Sequence, residues 1–330
     1  MIIIRTPFRV SFFGGGTDYP TWYRENGGAV LSTSINKYSF LTMRKLPKIF
    51  DYNYRIRYYE HQEVSTLDEI TVPVIREAIK YMGFTGGLDI MHHGDLPNRT
   101  GIGSSSSFTV GLIHGLSVLQ NLNLTKRELA AKAIDLEQNI LKEAVGSQDQ
   151  VAAAFGGLNR IEFGAKHDFT CIPLHIRKKT YRELGEWMQV FFTSKLRNSQ
   201  DISAKKIANM KNHTADLSEF AELTRQAEHQ LFMGNMYGFA SMLNEQWRLK
   251  KAIEKSITNT DIDDIYDGGI AAGAIGGKLL GAGGGGFILF LTPPEFQQNV
   301  ADTLQLKQVQ VDMEGLGSQL IYHDYQDQED

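Results

Sequence analysis

The order of apolar and polar positions along this chain predicts its elements. Ile2 to Phe13 is dense in β-branched and aromatic residues and predicts a strand or hairpin arm, ended by Gly14-Gly15-Gly16. A second β-rich region spans Ala29 to Met43. Tyr52, Tyr54, Ile56 and Tyr58 alternate with Asn53, Arg55 and Arg57, the period-two pattern of a half-buried strand. Asp68 to Met82 predicts a helix stopped by Gly83, and Leu88 to Met91 a short strand. Helical spacing then takes over from Ser104 to Leu122, with Phe108, Leu112, Leu116 and Leu119 on its apolar positions. Thr125-Lys126-Arg127-Glu128 is a capping box, and Leu129, Ala133, Leu136 and Ile140 form the core stripe of the helix it starts. Strands are predicted at Leu158 to Phe163, Met188 to Phe192 and Phe287 to Leu291, and helices at Ile202 to Asn212, Leu217 to Phe232 and Met236 to Lys255.

This order of strands, then helices, then strands argues for an α+β fold and against a doubly wound one. A length of 330 residues is enough for two domains. The charged stretch from Lys178 to Gly185 is the weakest join, which gives domains 1–184 and 185–330.

Composition sharpens one point. Glycine supplies 32 residues and proline only 8, so the excess over the roughly 7% average is not a linker composition. A net charge of −4 gives no global attraction to nucleic acid or anionic lipid, so any phosphate site must be local. No apolar run approaches the ~20 residues of a membrane span. Met1-Ile2-Ile3-Ile4-Arg5 lacks the organisation of a signal peptide. Cys171 is the only cysteine, which excludes an intrachain disulfide and points to a reducing, cytoplasmic setting. His92 and His93 are adjacent on a strand and face opposite ways, so they do not share a metal ion.

The glycines gather in three clusters. In the first, Arg9 lies on the strand before Gly14-Gly15-Gly16-Thr17-Asp18; Gly15 and Gly16 admit a ligand close to backbone, and Thr17 and Asp18 supply a hydroxyl and a carboxylate. A plain turn with a solvated aspartate is the alternative. The second is Pro97 to Phe108, where Gly101-Ile102-Gly103 leads into Ser104-Ser105-Ser106-Ser107 at a helix start. Free backbone N–H groups and hydroxyls at a helix N-terminus make an anion site, whereas a simple cap needs one serine. The third runs from Gly276 to Phe287 and includes Gly281, Gly283, Gly284, Gly285 and Gly286. Its Gly-x-Gly-x-x-Gly is followed by a strand and Pro293-Pro294 where a dinucleotide fingerprint requires a helix. Lys278 is followed by Leu279 where a Walker A motif requires Ser or Thr. What remains is a strand–loop–strand whose backbone can crowd a ligand.

Between the second and third clusters, Glu137 shares a helix face with Ala130, Ile134 and Leu141. It is either a carboxylate bound to a cation or the polar edge of an amphipathic helix. Asp149 follows the Gly146-Ser147 break. A serine-rich anion site, a glutamate and a loop aspartate are the parts of Mg²⁺-assisted phosphoryl transfer.

These clusters, in this order, resemble the three motifs of the GHMP kinase superfamily of galactokinases, homoserine kinases, mevalonate kinases and phosphomevalonate kinases. Within it, Phe12 to Pro20 resembles the D-glycero-D-manno-heptose phosphate kinases. Gly15 and Gly16 stand where galactokinases carry Glu and His, which argues against galactose and leaves room for a bulkier sugar.

The resemblance implies a two-domain fold, with a ribosomal S5 domain 2-like N-terminal domain, containing a left-handed β-α-β unit, and a ferredoxin-like C-terminal domain. It implies that Asp149 is catalytic with Arg9 beside it, that Asp18 binds sugar, and that Glu137 and Ser105 hold Mg²⁺. The implied reaction moves the γ-phosphoryl of ATP to the anomeric hydroxyl of D-glycero-D-manno-heptose 7-phosphate, a step towards nucleotide-activated heptose. A 7-phosphate needs a cationic pocket, for which Arg197 is the first candidate, ahead of Lys195, Arg55 and Arg57. The expected partners are ATP and a small sugar phosphate, without nucleic acid or membrane, and homodimerisation is left open. A different sugar-1-kinase is the main alternative; a kinase-like sensor is disfavoured by the presence of Asp149, Glu137 and Arg9.

Overall fold

The protein is described from a computed structural model that covers residues 1–98, 100–165, 168–194, 214–253 and 255–324. Arg197, Lys195 and the helix expected at Ile202 to Asn212 lie outside the described residues. The first part of the chain contributes β1 (Ile2–Phe13), β2 (Gly28–Lys45), β3 (Tyr54–Arg57), β4 (His61–Val64), β5 (Leu88–Gly94), β6 (Leu158–Phe163) and β7 (Phe169–Pro173). A four-stranded antiparallel sheet follows from β8 (Met188–Phe192), β9 (Gly276–Leu279), β10 (Phe287–Leu291) and β11 (Lys307–Val309). The chain then returns β12 (Met313–Glu314) and β13 (Gln319–His323) to the first sheet, completing nine strands in it. The helices are α1 (Pro20–Asn26), α2 (Pro73–Met82), α3 (Ser104–Leu119), α4 (Lys126–Asp135), α5 (Gln148–Phe155), α6 (Lys178–Trp187), α7 (Thr214–Met233), α8 (Met236–Ile253), α9 (Thr260–Ala271) and α10 (Gln297–Leu304).

The larger sheet runs β13-β1-β2-β5-β3-β4. The long β2 is shared along its length: its first half pairs with β6 and its second half with β5. Only β3 and β5 pair in parallel, and α2 lies in the connection between them, as a parallel pair requires. The smaller sheet has the order β11-β8-β10-β9, which in chain order is fourth-first-third-second. With helices between its first and second and its third and fourth strands, this is the ferredoxin-like arrangement. The α+β, two-domain expectation therefore holds.

One irregularity in β1 positions the site. The register with β2 shifts between Pro7 and Phe8. Before it, Ile2 and Ile4 belong to the core beneath α3; after it, Phe8, Val10 and Phe12 belong to the core shared with the smaller sheet. Strand alternation then carries Arg9 and Ser11 on the opposite face, where they meet the start of α3 and α5.

The stretch expected to join the domains forms α6, whose Thr180, Leu184 and Trp187 are buried. The two parts are tied by α7 as well: Leu217 and Phe220 enter the N-terminal core and Ala227 and Leu231 the other. Glu228 on α7 pairs with Arg160 on β6 at 2.7 Å.

Two element boundaries differ from the sequence pattern for identifiable reasons. The helix expected from Asp68 begins at Pro73, which pre-sets the first helical φ, after a short 3-10 turn at Leu67–Glu69. The helix from Thr125 keeps its capping box, but Leu136–Ile140 is a π turn, with Leu141 N–H donating to Leu136 C=O. The wider turn moves the phase of the stripe beyond Leu136, so Ile140 is exposed, while Glu137, in phase with the buried Ala130 and Ile134, is buried.

Candidate active site

The centre of the site is an ion pair between the first strand and the first turn of α5. Arg9 Nε donates to Asp149 Oδ1 and Nη2 to Oδ2, each at 2.7 Å, the bidentate geometry that matches guanidinium to carboxylate. Asp149 was expected on a loop; it stands on the second residue of a helix, in the first turn, where the helix dipole favours a negative charge. Arg9 Nη1 also donates to Gly101 C=O at 2.6 Å, and Arg9 N–H to Ile102 C=O at 3.1 Å. Arg9 is only 3% exposed, so this one side chain fixes the strand, the glycine loop and the aspartate relative to each other.

The glycine loop ends in Gly103 with φ 74° and ψ 21°, left-handed backbone that glycine adopts without strain, and α3 starts immediately after it. A Cβ on Gly103 would lie 3.4 Å from Asp149 Oδ2, so the helix start and the ion pair are in contact distance. The four serines divide their tasks. Ser105 is exposed at the helix start. Ser106 donates to Glu137 Oε2 at 2.9 Å. Ser107 is spent internally: its hydroxyl donates to Pro7 C=O and its N–H to Gly103 C=O, so its expected place among the ligand-binding hydroxyls is corrected to anchoring α3 on β1. Ser104 is buried.

The third glycine cluster forms the predicted strand–loop–strand, and its loop docks on the second. A Cβ on Gly281 would fall 2.4 Å from Gly101 Cα, a separation only glycine permits. Phe287 N–H donates to Thr100 C=O, and Thr193 clamps Gly286 through its hydroxyl. Gly283 and Gly284 pack on Ile257, and Gly285 completes the turn. Two buried lysines add cationic ties: Lys250 on α8 reaches Gly281 C=O in the loop (3.3 Å), and Lys278 on β9 reaches Phe12 C=O on β1 (2.9 Å), joining the two sheets.

Glu137 is 1% exposed. Oε2 accepts from Ser106 and Gln150, and Oε1 has no hydrogen-bond partner among the described residues. Burial, the largest cause, together with the neighbouring Glu143 charge, pushes its carboxyl up to about 7, opposed by the nearby Thr109 hydroxyl and by the Gln150 and Ser106 hydrogen bonds. A buried carboxylate with one unsatisfied oxygen, among hydroxyls at a glycine-led helix start, is a donor set that fits Mg²⁺, which takes few protein oxygens and completes its shell with phosphate and water. No cluster of three or more acidic, His or Cys ligands exists among the described residues, and such a Mg²⁺ site needs none.

On the other side of Asp149, the first cluster makes a wall expected to face the acceptor. Thr17 was expected to offer its hydroxyl to a ligand; instead it donates to Gly14 and Ala29 carbonyls, accepts from Ala29 N–H and is fully buried, so it locks the turn to β2. Asp18, expected to hold sugar directly, is 1% exposed. It accepts from Gly16 N–H and from Gln148 Nε2, both at 2.9 Å. Gly15 borders Gln148 and Ser11, neither of which the sequence had marked. Their one signal was position: Ser11 is two residues from Arg9 on the strand, and Gln148 precedes Asp149.

Arg55 and Arg57, candidates for a phosphate pocket, are elsewhere. Both pair with Asp89, as does Arg44, near the far end of β2 from Arg9, whose partner in the sheet is Ser34. His92 is half-buried, with desolvation pushing its imidazole down to about 4, and it packs on Tyr58 and Phe108. No helix among the described residues is long and apolar enough to cross a membrane.

Comparison with known proteins agrees with this geometry. The model of the GHMP kinases N terminal domain matches residues 69–157, and that of the GHMP kinases C terminal matches 220–308. The chain is 30% identical over 318 residues to a D-glycero-alpha-D-manno-heptose 7-phosphate kinase of Campylobacter jejuni, covering 92% of this chain and 93% of that protein. Its fold is similar to that of a D-glycero-D-manno-heptose 1-phosphate kinase from Bacteroides thetaiotaomicron, with TM-score 0.82, 23% identity and coverage of 98% and 100%. It is also similar to Lactococcus lactis galactokinase with galactose, with TM-score 0.76, 18% identity and coverage of 96% and 94%.

Proposed function

The chain belongs to the GHMP kinase family and is an ATP-dependent sugar kinase; on that premise we propose that its acceptor is D-glycero-D-manno-heptose 7-phosphate, phosphorylated on the anomeric hydroxyl to give the 1,7-bisphosphate. The near full-length similarity to the Campylobacter jejuni kinase supports the acceptor. Gly15 and Gly16, which replace two larger side chains of galactokinases, support a sugar with more bulk than galactose.

The observation that carries the chemistry is the Arg9–Asp149 pair, held between the glycine loop and the acceptor wall. Asp149 orients the C1 hydroxyl and accepts its proton as the C1 oxygen bonds to the γ-phosphorus. The bond from that phosphorus to the ADP oxygen breaks, and ADP leaves with the electron pair. Arg9 holds the carboxylate in place and offsets charge on the transferring group. The N–H groups at the start of α3, with Ser105, bind the phosphate chain. Mg²⁺, when bound, neutralises charge on the β- and γ-phosphates, and Glu137 with Ser105 would hold it. Asp18 acts on the acceptor wall through Gln148. Arg197 is proposed for the 7-phosphate.

The test is an ATP-coupled assay across heptose 7-phosphate, heptose 1-phosphate, fucose, mannose and galactose. Turnover on the first at least tenfold above the others is the expected result. Preference for another sugar would overturn the acceptor and leave the kinase.

A further inference from the structure

Beside Gly15, two polar atoms are buried with nothing to bond. Ser11 Oγ and Gln148 Oε1 each lack a hydrogen-bond partner among the described residues. A Cβ built on Gly15 would sit 3.9 Å from Ser11 Oγ and 3.7 Å from Gln148 Nε2, with no other heavy atom within 4 Å outside its chain neighbours. The glycine thus leaves a notch, and these two side chains border it. The amide of Gln148 is not free to turn: its nitrogen is held by Asp18, and Asp18 is in turn held by Gly16 N–H. That bond fixes the carbonyl oxygen as an acceptor. A buried polar group without a partner costs about 1–3 kcal/mol, which a ligand group bonded here would recover. Ser11 shares its strand face with Arg9, and Gln148 adjoins Asp149 in the chain, so the notch lies along the wall that holds the ion pair.

We propose that Ser11 and Gln148 are specificity-determining residues that hydrogen-bond a hydroxyl of the sugar acceptor entering the notch at Gly15, with Asp18 as the positioning residue that aims Gln148. The inference rests on the sugar-kinase reading above. A hydroxyl is both donor and acceptor: it donates its one proton to Gln148 Oε1 and accepts from Ser11 Oγ–H. An acceptor that lacks it leaves both atoms unpaired, and sites that bind a substrate hydroxyl in this way reject the deoxy analogue strongly.

The experiment measures acceptor KM, ATP KM and kcat for the full-length protein, using whichever sugar the wild type turns over best, together with the monodeoxy analogues of that sugar. The variants are Ser11→Ala, Gln148→Met and Gly15→Ala. Gly15→Ala is the informative one for folding, because its Cβ meets only ordinary contacts and its φ lies outside the left-handed region. Each variant is expected to raise acceptor KM by about tenfold or more, with ATP KM within twofold of wild type and melting of Ser11→Ala and Gly15→Ala unchanged. One deoxy analogue is expected to lose most of its kcat/KM on the wild type and nothing further on Gln148→Met. Unchanged acceptor KM in Ser11→Ala and Gly15→Ala, or equal losses for that analogue on wild type and variants, would overturn the notch while leaving heptose phosphate as acceptor. A wild type that prefers another sugar overturns the acceptor alone, since the notch is then tested on that sugar.

Discussion

Replacing Glu137 by Gln should make the ligand-free protein more stable at alkaline pH while destroying its activity. The folded protein raises this carboxyl from an ordinary 4.5 to about 7 by burying it. Between those two values the unfolded chain has lost the proton and the folded one keeps it. Folding then binds a proton, and stability falls as pH rises, by about 1.4 kcal/mol per pH unit. Across the window the loss is about 3 kcal/mol, complete above pH ~7 and absent at pH values below ~4.5. Gln has the same shape and no titration, so the variant escapes the loss. Urea denaturation at 25 °C, in EDTA, at pH 5 and pH 8 measures it. The stability of the variant minus that of wild type should increase by about 2–3 kcal/mol between the two pH values. Taking the difference between pH values removes any constant packing effect of the substitution. With MgATP present at pH 8 the ranking should reverse, because the wild type alone gains binding energy through this carboxylate. Parallel stability curves for the two proteins would refute the claim that Glu137 is charged only at a cost, and with it the reason for expecting a cation there.

Asp149→Asn should lower kcat by about 10²–10⁴-fold while leaving the ATP dissociation constant within about twofold; near-wild-type turnover would remove Asp149 from the proton transfer. Gly281→Ala places a Cβ 2.4 Å from Gly101 Cα on backbone with φ 75°. It should cost more than ~2 kcal/mol of stability and raise ATP KM, and unperturbed ATP binding would show that the two loops are not one unit. Asp89→Asn leaves Arg44, Arg55 and Arg57 facing each other without their shared carboxylate. The three guanidiniums hold the Asp89 carboxyl below its usual range despite its burial, so the stability it contributes is present at neutral pH and lost as pH falls through that lowered value. The variant should therefore lose about 2–4 kcal/mol at pH 7 and less at pH 3, with acceptor KM unchanged; a raised KM would return these arginines to the substrate site.

What was legible in the sequence is what the backbone itself has to be. A loop that passes within contact distance of another loop, as at Gly101 and Gly281, excludes every side chain, so the requirement is written as glycine and survives in the sequence. The same holds for the alternation in β1 and for the capping box at Thr125, where local chemistry alone decides the outcome. The helices α1, α5, α6, α9 and α10 left weaker traces: α5 has eight residues, and α6 reads as a charged stretch because only its Thr180, Leu184 and Trp187 face inward.

The site residues that the sequence missed or gave the wrong task share a different property. Nothing in the type of Ser11, Thr17, Ser107 or Gln148 says whether its polar atoms are spent, and only the three-dimensional bonding tells a locked hydroxyl from an unpaired one. Glu137 makes the point most sharply. An ideal helix continued from Thr125 would have put Ile140 on the buried stripe. The π turn, set by a Leu141–Leu136 bond that no local motif announces, exposes Ile140, while Glu137, in phase with the buried Ala130 and Ile134, stays inside. Exposing the isoleucine and burying the acid costs stability. That the chain adopts the costly arrangement at the residue facing Ser106 and Gln150 is itself an argument that the carboxylate is there for a ligand.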